Sequence, residues 1–271
     1  MLDLTGSFAP LITPFTDDGK SLSEVRIARI VRWLTERHIE GLVLNTDVGE
    51  FTSTSFSERK AVMEIVCRET RGAIPLVANC TTLNSGASLD LAQHAQRHGA
   101  RAALIMPPYY GDFTEAEFVG HFKTIASYAA LPLIVVDQLG RLSKQAVLEI
   151  QQFPRVTIAH ALSTVWPDGP QTSSTVTTYE WVTGGVLCSP LAGIFGRISP
   201  KLDLALLKTW SMTMRDFGPL RVLKCAYPNF DLEMGDCRSP YLPLSPQRIN
   251  VVRALTMLVK AKEKTAGNPA A

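Results

Sequence analysis

The residues best suited to chemistry in this chain are a histidine, two aspartates, an arginine and a tyrosine within the first 160 positions. His160 closes the run Pro154-Arg155-Val156-Thr157-Ile158-Ala159-His160, which is β-branched at three consecutive positions and reads as a short strand. Asp47 follows the apolar run Gly41–Asn45, and Asp137 follows Pro132–Val136. An imidazole beside a carboxylate titrates near neutral pH, so His160 with Asp47, and with Asp137, is a candidate acid–base set. The plainer alternative is that His160 fills space and hydrogen-bonds Asp47 or Tyr110. Arg141 can grip a carboxylate through two parallel bonds, or can form a surface or interface ion pair. Tyr109 and Tyr110, behind Pro107-Pro108, suit packing or an interface more readily than catalysis. A metal would require three of His160, Asp47, Asp137 and Cys80 to converge, which nothing in their spacing demands.

The elements that must position these residues alternate. Apolar strands are expected at 7–13, 41–45, 75–80, 102–106, 132–136 and 154–161, each followed by an amphipathic helix up to Phe153. Helix starts are marked by Ser23, by Ser57-Glu58-Arg59-Lys60 and by the capping-box-like Thr114-Glu115-Ala116-Glu117. Strands that are apolar throughout are covered on both faces, as in a parallel sheet. Six repeats near thirty residues each, within 271 residues, fit an α/β chain folded as a (β/α)8 TIM barrel. In that fold strand C-terminal ends face the site, which places His160, Asp47 and Asp137 on one side. Past His160 the rhythm fails: Ser163–Thr178 is polar and too short for a full helix and strand. The barrel is therefore expected to be shortened or irregular around strands 6–7. Order resumes at Tyr179–Val182, and Gly184–Ser189 reads as a last strand. Extra C-terminal helices are expected over 202–217, 220–226 and 245–265. The expected organisation is a barrel over 1–200, incomplete or not at 163–180, a helical extension over 201–265 and a frayed tail at 266–271.

Composition narrows the classes. Hydrophobic residues make up 46% of the chain, enough for a globular core. A net charge of +2 from 27 basic and 25 acidic residues gives no reason to expect nucleic acid or an anionic membrane as partner. Five cysteines without a CxxC pair suit a reduced, cytoplasmic protein. No signal peptide or membrane span is expected. No glycine-rich fingerprint, P-loop, HExxH or GxSxG motif is present.

Taken together, Ala9-Pro10-Leu11-Ile12-Thr13-Pro14-Phe15 with Asp18-Gly19, Gly49-Glu50, Ser57-Glu58-Arg59 and Pro107-Pro108-Tyr109-Tyr110 form an ordered set, continued by Arg141, Lys224 and Arg238–Ser245. This set resembles the dihydrodipicolinate synthase / N-acetylneuraminate lyase family of class I pyruvate aldolases, over about residues 6 to 260. The resemblance implies a lysine at the end of strand 6 that forms a Schiff base with pyruvate; His160 stands there. It implies a proton-relaying tyrosine where Val136-Asp137-Gln138-Leu139 stands, and a carboxylate-binding Gly-Thr-Thr-Gly-Glu loop where Thr46-Asp47-Val48-Gly49-Glu50 stands. Tyr110, which the family reaches across a subunit interface, and Arg141 are retained. Imidazole cannot form an imine, and no lysine of the chain ends a predicted strand. Asp47 would also repel an anionic substrate.

The reading is a lyase-family protein lacking the Schiff-base lysine, with acid–base chemistry on a small molecule at the barrel mouth. His160, Tyr110 and Asp47 are its catalytic candidates, and Arg141, Asp137 and Val48 its substrate-binding candidates. The alternative is a non-catalytic pseudoenzyme that binds a ligand or builds an oligomer, so whether the protein is an enzyme stays open. No cofactor and no metal is expected. The partner is a small molecule, a carboxylate among the options, with no nucleic acid and no membrane, in a homodimer or homotetramer.

Overall fold

Short apolar runs separated by amphipathic ones build an eight-stranded sheet backed by helices in the computed structural model, which describes residues 4–161, 176–198 and 203–265. The order begins β1 Thr5–Pro10, α1 Glu24–Glu36, β2 Gly41–Leu44, α2 Phe56–Thr70, β3 Leu76–Asn79, α3 Ser85–Arg97 and β4 Ala102–Ile105. It continues α4 Glu115–Tyr128, β5 Leu133–Val135, α5 Lys144–Ile150 and β6 Val156–Ile158. Then come β7 Trp181–Thr183, β8 Gly185–Cys188, α6 Ala192–Phe195, α7 Leu204–Phe217, α8 Pro219–Ala226 and α9 Pro246–Thr265.

Strands β2, β4 and β5 are apolar throughout because both faces are covered. Leu42, Leu44, Ala78, Ile105 and Val135 point outward into the layer beneath the helices. Their alternates Val43, Val77, Leu104 and Ile134 point inward, where Phe8, Trp181 and Val186 fill the axis. Helix starts follow local chemistry. Ser55 and Glu58 form a reciprocal capping box on α2, so that helix begins at Phe56 rather than at Ser57. Thr114 and Glu117 do the same for α4. Ser23 occupies the N-cap position of α1, but its hydroxyl makes no cap bond.

The strand order is β6-β5-β4-β3-β2-β1-β8-β7, parallel from β6 through β8. The single last strand expected over 184–189 is instead the second half of a hairpin. Strand β7 runs antiparallel to β8 with Thr183 opposite Val186. Gly184 turns the chain at φ 53, and a Cβ on Gly185 would sit 2.6 Å from the Thr5 side chain of the neighbouring strand. The ring is then nearly closed by one antiparallel bridge, in which the His160 and Val182 main chains exchange two hydrogen bonds of 2.9 Å each. Thr183 Oγ1 adds a bond of 3.0 Å to the Ile158 carbonyl.

This is the irregular (β/α)8 barrel expected, with the irregularity after strand 6. The C-terminal helices are also present, Asp203 capping α7 and α8 packing against both α7 and α9. The greater part of the polar segment and the tail at 266–271 lie outside the described residues. No described helix is long and apolar enough to cross a membrane.

Candidate active site

Asp47 opens a 3₁₀ turn, Asp47–Gly49, as the chain leaves β2. Its backbone N–H donates to Thr178 Oγ1 at 3.0 Å, and the Thr178 N–H donates to Gln138 Oε1 at 3.2 Å. Three connections are thereby tied together at the mouth: those after β2 and β5, and the one before β7. The side chains of Thr178 and Gln138 lie beside the Asp47 carboxyl and favour its ionised form. Burial outweighs them and raises its pKa above the ordinary carboxylate value. Tyr179 and Tyr241 lie in its field. Burial first, and Asp47 next, push the Tyr179 phenol up to about 12 and the Tyr241 phenol above its ordinary value.

Because β7 is reversed, the mouth here is furnished by the start of that strand rather than its end. Thr178 and Tyr179 are therefore mouth residues that a search of strand C-terminal ends does not find. Gln138 was within reach of the sequence reading as the neighbour of Asp137.

The other sequence candidates are placed differently. His160 is exposed. Ile158 packs into the outer layer and Ala159 into the axis, so the strand period of two puts His160 on the side of Ile158. Among the described residues no hydrogen bond joins His160 to Asp47 or to Tyr110. Tyr110 is 79% exposed on the loop after β4. Both oxygens of Asp137 accept backbone N–H groups, from Arg141 and Leu142 at 2.9 Å each, so this carboxylate shapes its own loop. The Arg141 guanidinium donates to the Pro108 carbonyl at 3.1 Å and the Gly111 carbonyl at 2.8 Å, and lies 5.0 Å from the Phe118 ring centre. It thereby anchors the loop that carries Tyr110. The Val48 side chain is buried in the outer layer. Cys80 is fully buried, donates to the Ala78 carbonyl and has its thiol pushed up to about 12 by burial.

A second polar constellation unites residues that were only separate landmarks in the sequence. Glu50, fully buried and itself in the left-handed region (φ 57), meets Lys224 Nζ of α8 at 2.6 Å. Its other oxygen accepts the Arg238 backbone N–H at 2.7 Å, while Lys224 donates to the Asp236 carbonyl at 2.8 Å. The Arg238 guanidinium grips Glu58 through bonds of 2.8 and 2.6 Å. It also donates to the carbonyls of Gly19, Lys20 and Ser53. Arg238 holds the Glu58 carboxyl below its ordinary pKa. This geometry gives Lys224 a structural role. Lys224 also borders a cavity of about 430 Å³ together with Arg221, Asp236 and Cys237.

A profile of the dihydrodipicolinate synthetase family matches residues 3–164. Over 138 residues the chain is 32% identical to 4-hydroxy-tetrahydrodipicolinate synthase from Bartonella bacilliformis, a stretch covering 51% of this chain and 47% of that protein. The chain thus spans about half the length of the curated relatives it matches. In fold it is similar to dihydrodipicolinate synthase from Aquifex aeolicus, with a TM-score of 0.78 at 18% identity, covering 95% of this chain and 98% of that one. It is also similar to N-acetylneuraminate lyase from Mycoplasma synoviae, with a TM-score of 0.72 at 19% identity, covering 96% and 97%.

Proposed function

The chain belongs to the dihydrodipicolinate synthetase family, and from that membership we propose a lyase-family protein that works without a pyruvate Schiff base. Its chemistry is acid–base catalysis on a small molecule at the barrel mouth. The observation that carries this reading is Asp47: a half-buried carboxyl with a raised pKa, set among Thr178, Gln138, Tyr179 and Tyr241. A carboxyl tuned upward is a better proton donor and acceptor near neutral pH than an exposed one. In its protonated form it can donate to a substrate oxygen, including that of a carboxylate, without the repulsion an ionised Asp47 would exert. Position 160, where the resemblance calls for an amine, offers only an imidazole. Of the sequence candidates, Asp47 therefore takes the proton-transfer role, with Tyr110 contributing from the rim. A homodimer or homotetramer is the assembly we propose, with exposed Tyr110 at its contact. The organisation we propose is a barrel over 1–200 with a helical extension over 201–265.

Two measurements test this. Incubation with pyruvate and borohydride, followed by intact mass, should leave the protein unmodified; an adduct on any lysine overturns the absence of imine chemistry. Deuterium exchange into small 2-oxo acids should exceed the buffer rate and fall to it in Asp47→Asn.

A second reading, a non-catalytic ligand-binding or oligomeric descendant, is favoured by one observation. The strand-6 position uses its main chain to close the sheet and keeps its side chain outside. Exchange at the buffer rate in the unaltered protein would select this reading.

A further inference from the structure

Helices α2 and α3 pack side by side on the outside of the barrel, and their facing sides bring together Glu64, His94 and His98. His94 and His98 are four residues apart on α3, one turn of helix, and their ring centres lie 4.4 Å apart. Glu64 Oε1 is 3.1 Å from His94 Nε2 and 4.0 Å from His98 Nε2, and one ligand atom from each residue lies within 4.8 Å of the others.

We infer that Glu64, His94 and His98 form a binding site for a divalent transition metal of the zinc class. Two imidazoles and one carboxylate are a ligand set that zinc accepts, with a further position left to solvent. Bond lengths of about 2.1 Å in a tetrahedron separate neighbouring ligand atoms by roughly 3.4 Å. The observed separations of 3.1 and 4.0 Å bracket that value, and Glu64 and His98, both exposed, can adjust to it.

An independent observation comes from His94. It is 7% exposed, and its Nε2, the atom aimed at Glu64, is buried and lacks a hydrogen-bond partner. A buried ring nitrogen that faces a carboxylate oxygen at 3.1 Å without a hydrogen bond to it is unsatisfied, and a metal shared by the two would satisfy it. The backbone of Lys60 also lies beside the His94 ring, where an outer contact can fix the orientation of a metal-bound imidazole. The Lys60 ammonium, the nearby cation that would oppose a metal, is held by Asp90 at 2.7 Å. The site is remote from the mouth chemistry and does not depend on it: a metal here clamps two outer helices.

The test is titration of the chelator-treated protein with Co²⁺, followed by displacement with Zn²⁺. The expected result is one equivalent of Co²⁺ giving the intense visible band of a four-coordinate nitrogen and oxygen site, without the sulfur charge-transfer band that any of the five cysteines would add. Zn²⁺ should abolish the band, and at a hundredfold excess over its dissociation constant should raise the thermal midpoint by several degrees. His98→Ala and Glu64→Gln change exposed side chains, so both variants fold; each should weaken Co²⁺ binding at least tenfold. No four-coordinate band, a band with sulfur character, or a band unchanged in His98→Ala overturns the proposal.

Discussion

Glu50 and Lys224 form an ion pair of 2.6 Å, with Glu50 fully buried and the Lys224 side chain 5% exposed. Neither charge could remain in so dry a place alone. Lys224→Met should therefore destabilise the protein by about 3–5 kcal/mol, because it strands the carboxylate against the Arg238 backbone. The double variant Glu50→Gln with Lys224→Met should recover part of that loss. Urea unfolding of the three proteins checks it; a double variant no more stable than Lys224→Met shows that the pair is not coupled.

Arg141 should act on dynamics rather than on global stability. Its bonds to the Pro108 and Gly111 carbonyls hold the loop bearing Tyr110. Arg141→Ala should cost about 1–3 kcal/mol at most, while amide exchange across residues 107–113 accelerates. Unchanged exchange there would mean that the loop holds its shape by packing alone.

Acid should weaken the protein through His121. This imidazole is 4% exposed, has Nδ1 2.8 Å from Ser85 Oγ, and is pushed down to about 4 by burial. The folded state keeps it neutral, while the unfolded chain takes up a proton near the ordinary value of 6.5. The stabilisation is thus complete above pH 6.5 and is lost as pH falls from 6.5 toward 4, by about 3 kcal/mol in all. His94, also held low by burial, adds in the same direction. Denaturation at pH 7.5 and pH 5 checks this, and His121→Gln should show a visibly flatter dependence than the unaltered protein.

His160→Ala should move stability by no more than about 0.5 kcal/mol, since the side chain is exposed and the bonds that close the sheet come from the main chain. Trp181→Ala should cost about 3–5 kcal/mol by emptying the barrel axis. Thermal melts of the two variants compare them directly; equal losses would contradict the division between main chain and side chain at the seam.

The barrel was legible in the sequence because its grammar is local. Apolar runs of four or five residues, followed by caps such as Thr114 with Glu117, state strand and helix without reference to anything distant. The reversal of β7 was not legible. Trp181-Val182-Thr183 is buried on both faces, and such a run reads the same in either direction. At the site, residue identities were legible and facings were not. His160 was correctly set at a strand's end, yet one step of the pleat decides whether an end residue looks into the axis or away from it. Glu50, Lys224 and Arg238 each stood out in the sequence, but only the folded chain brings them into one network. The metal-ligating trio was missed although His94 and His98 carried a helical spacing, because Glu64 reaches them from the neighbouring helix.

The bridge between His160 and Val182 has a mechanical meaning. Neighbouring strands elsewhere in the ring share three or four residue pairs, whereas here the described residues share one. A hoop so fastened has a parting line: among the described residues three hydrogen bonds, two from the bridge and one from Thr183 Oγ1, hold β6 to the β7–β8 hairpin, while seven longer strand pairings make up the rest of the ring. That line ends beside Thr178, which accepts the Asp47 N–H, so the weakest seam of the ring and the polar corner of the mouth are built from one short stretch of chain.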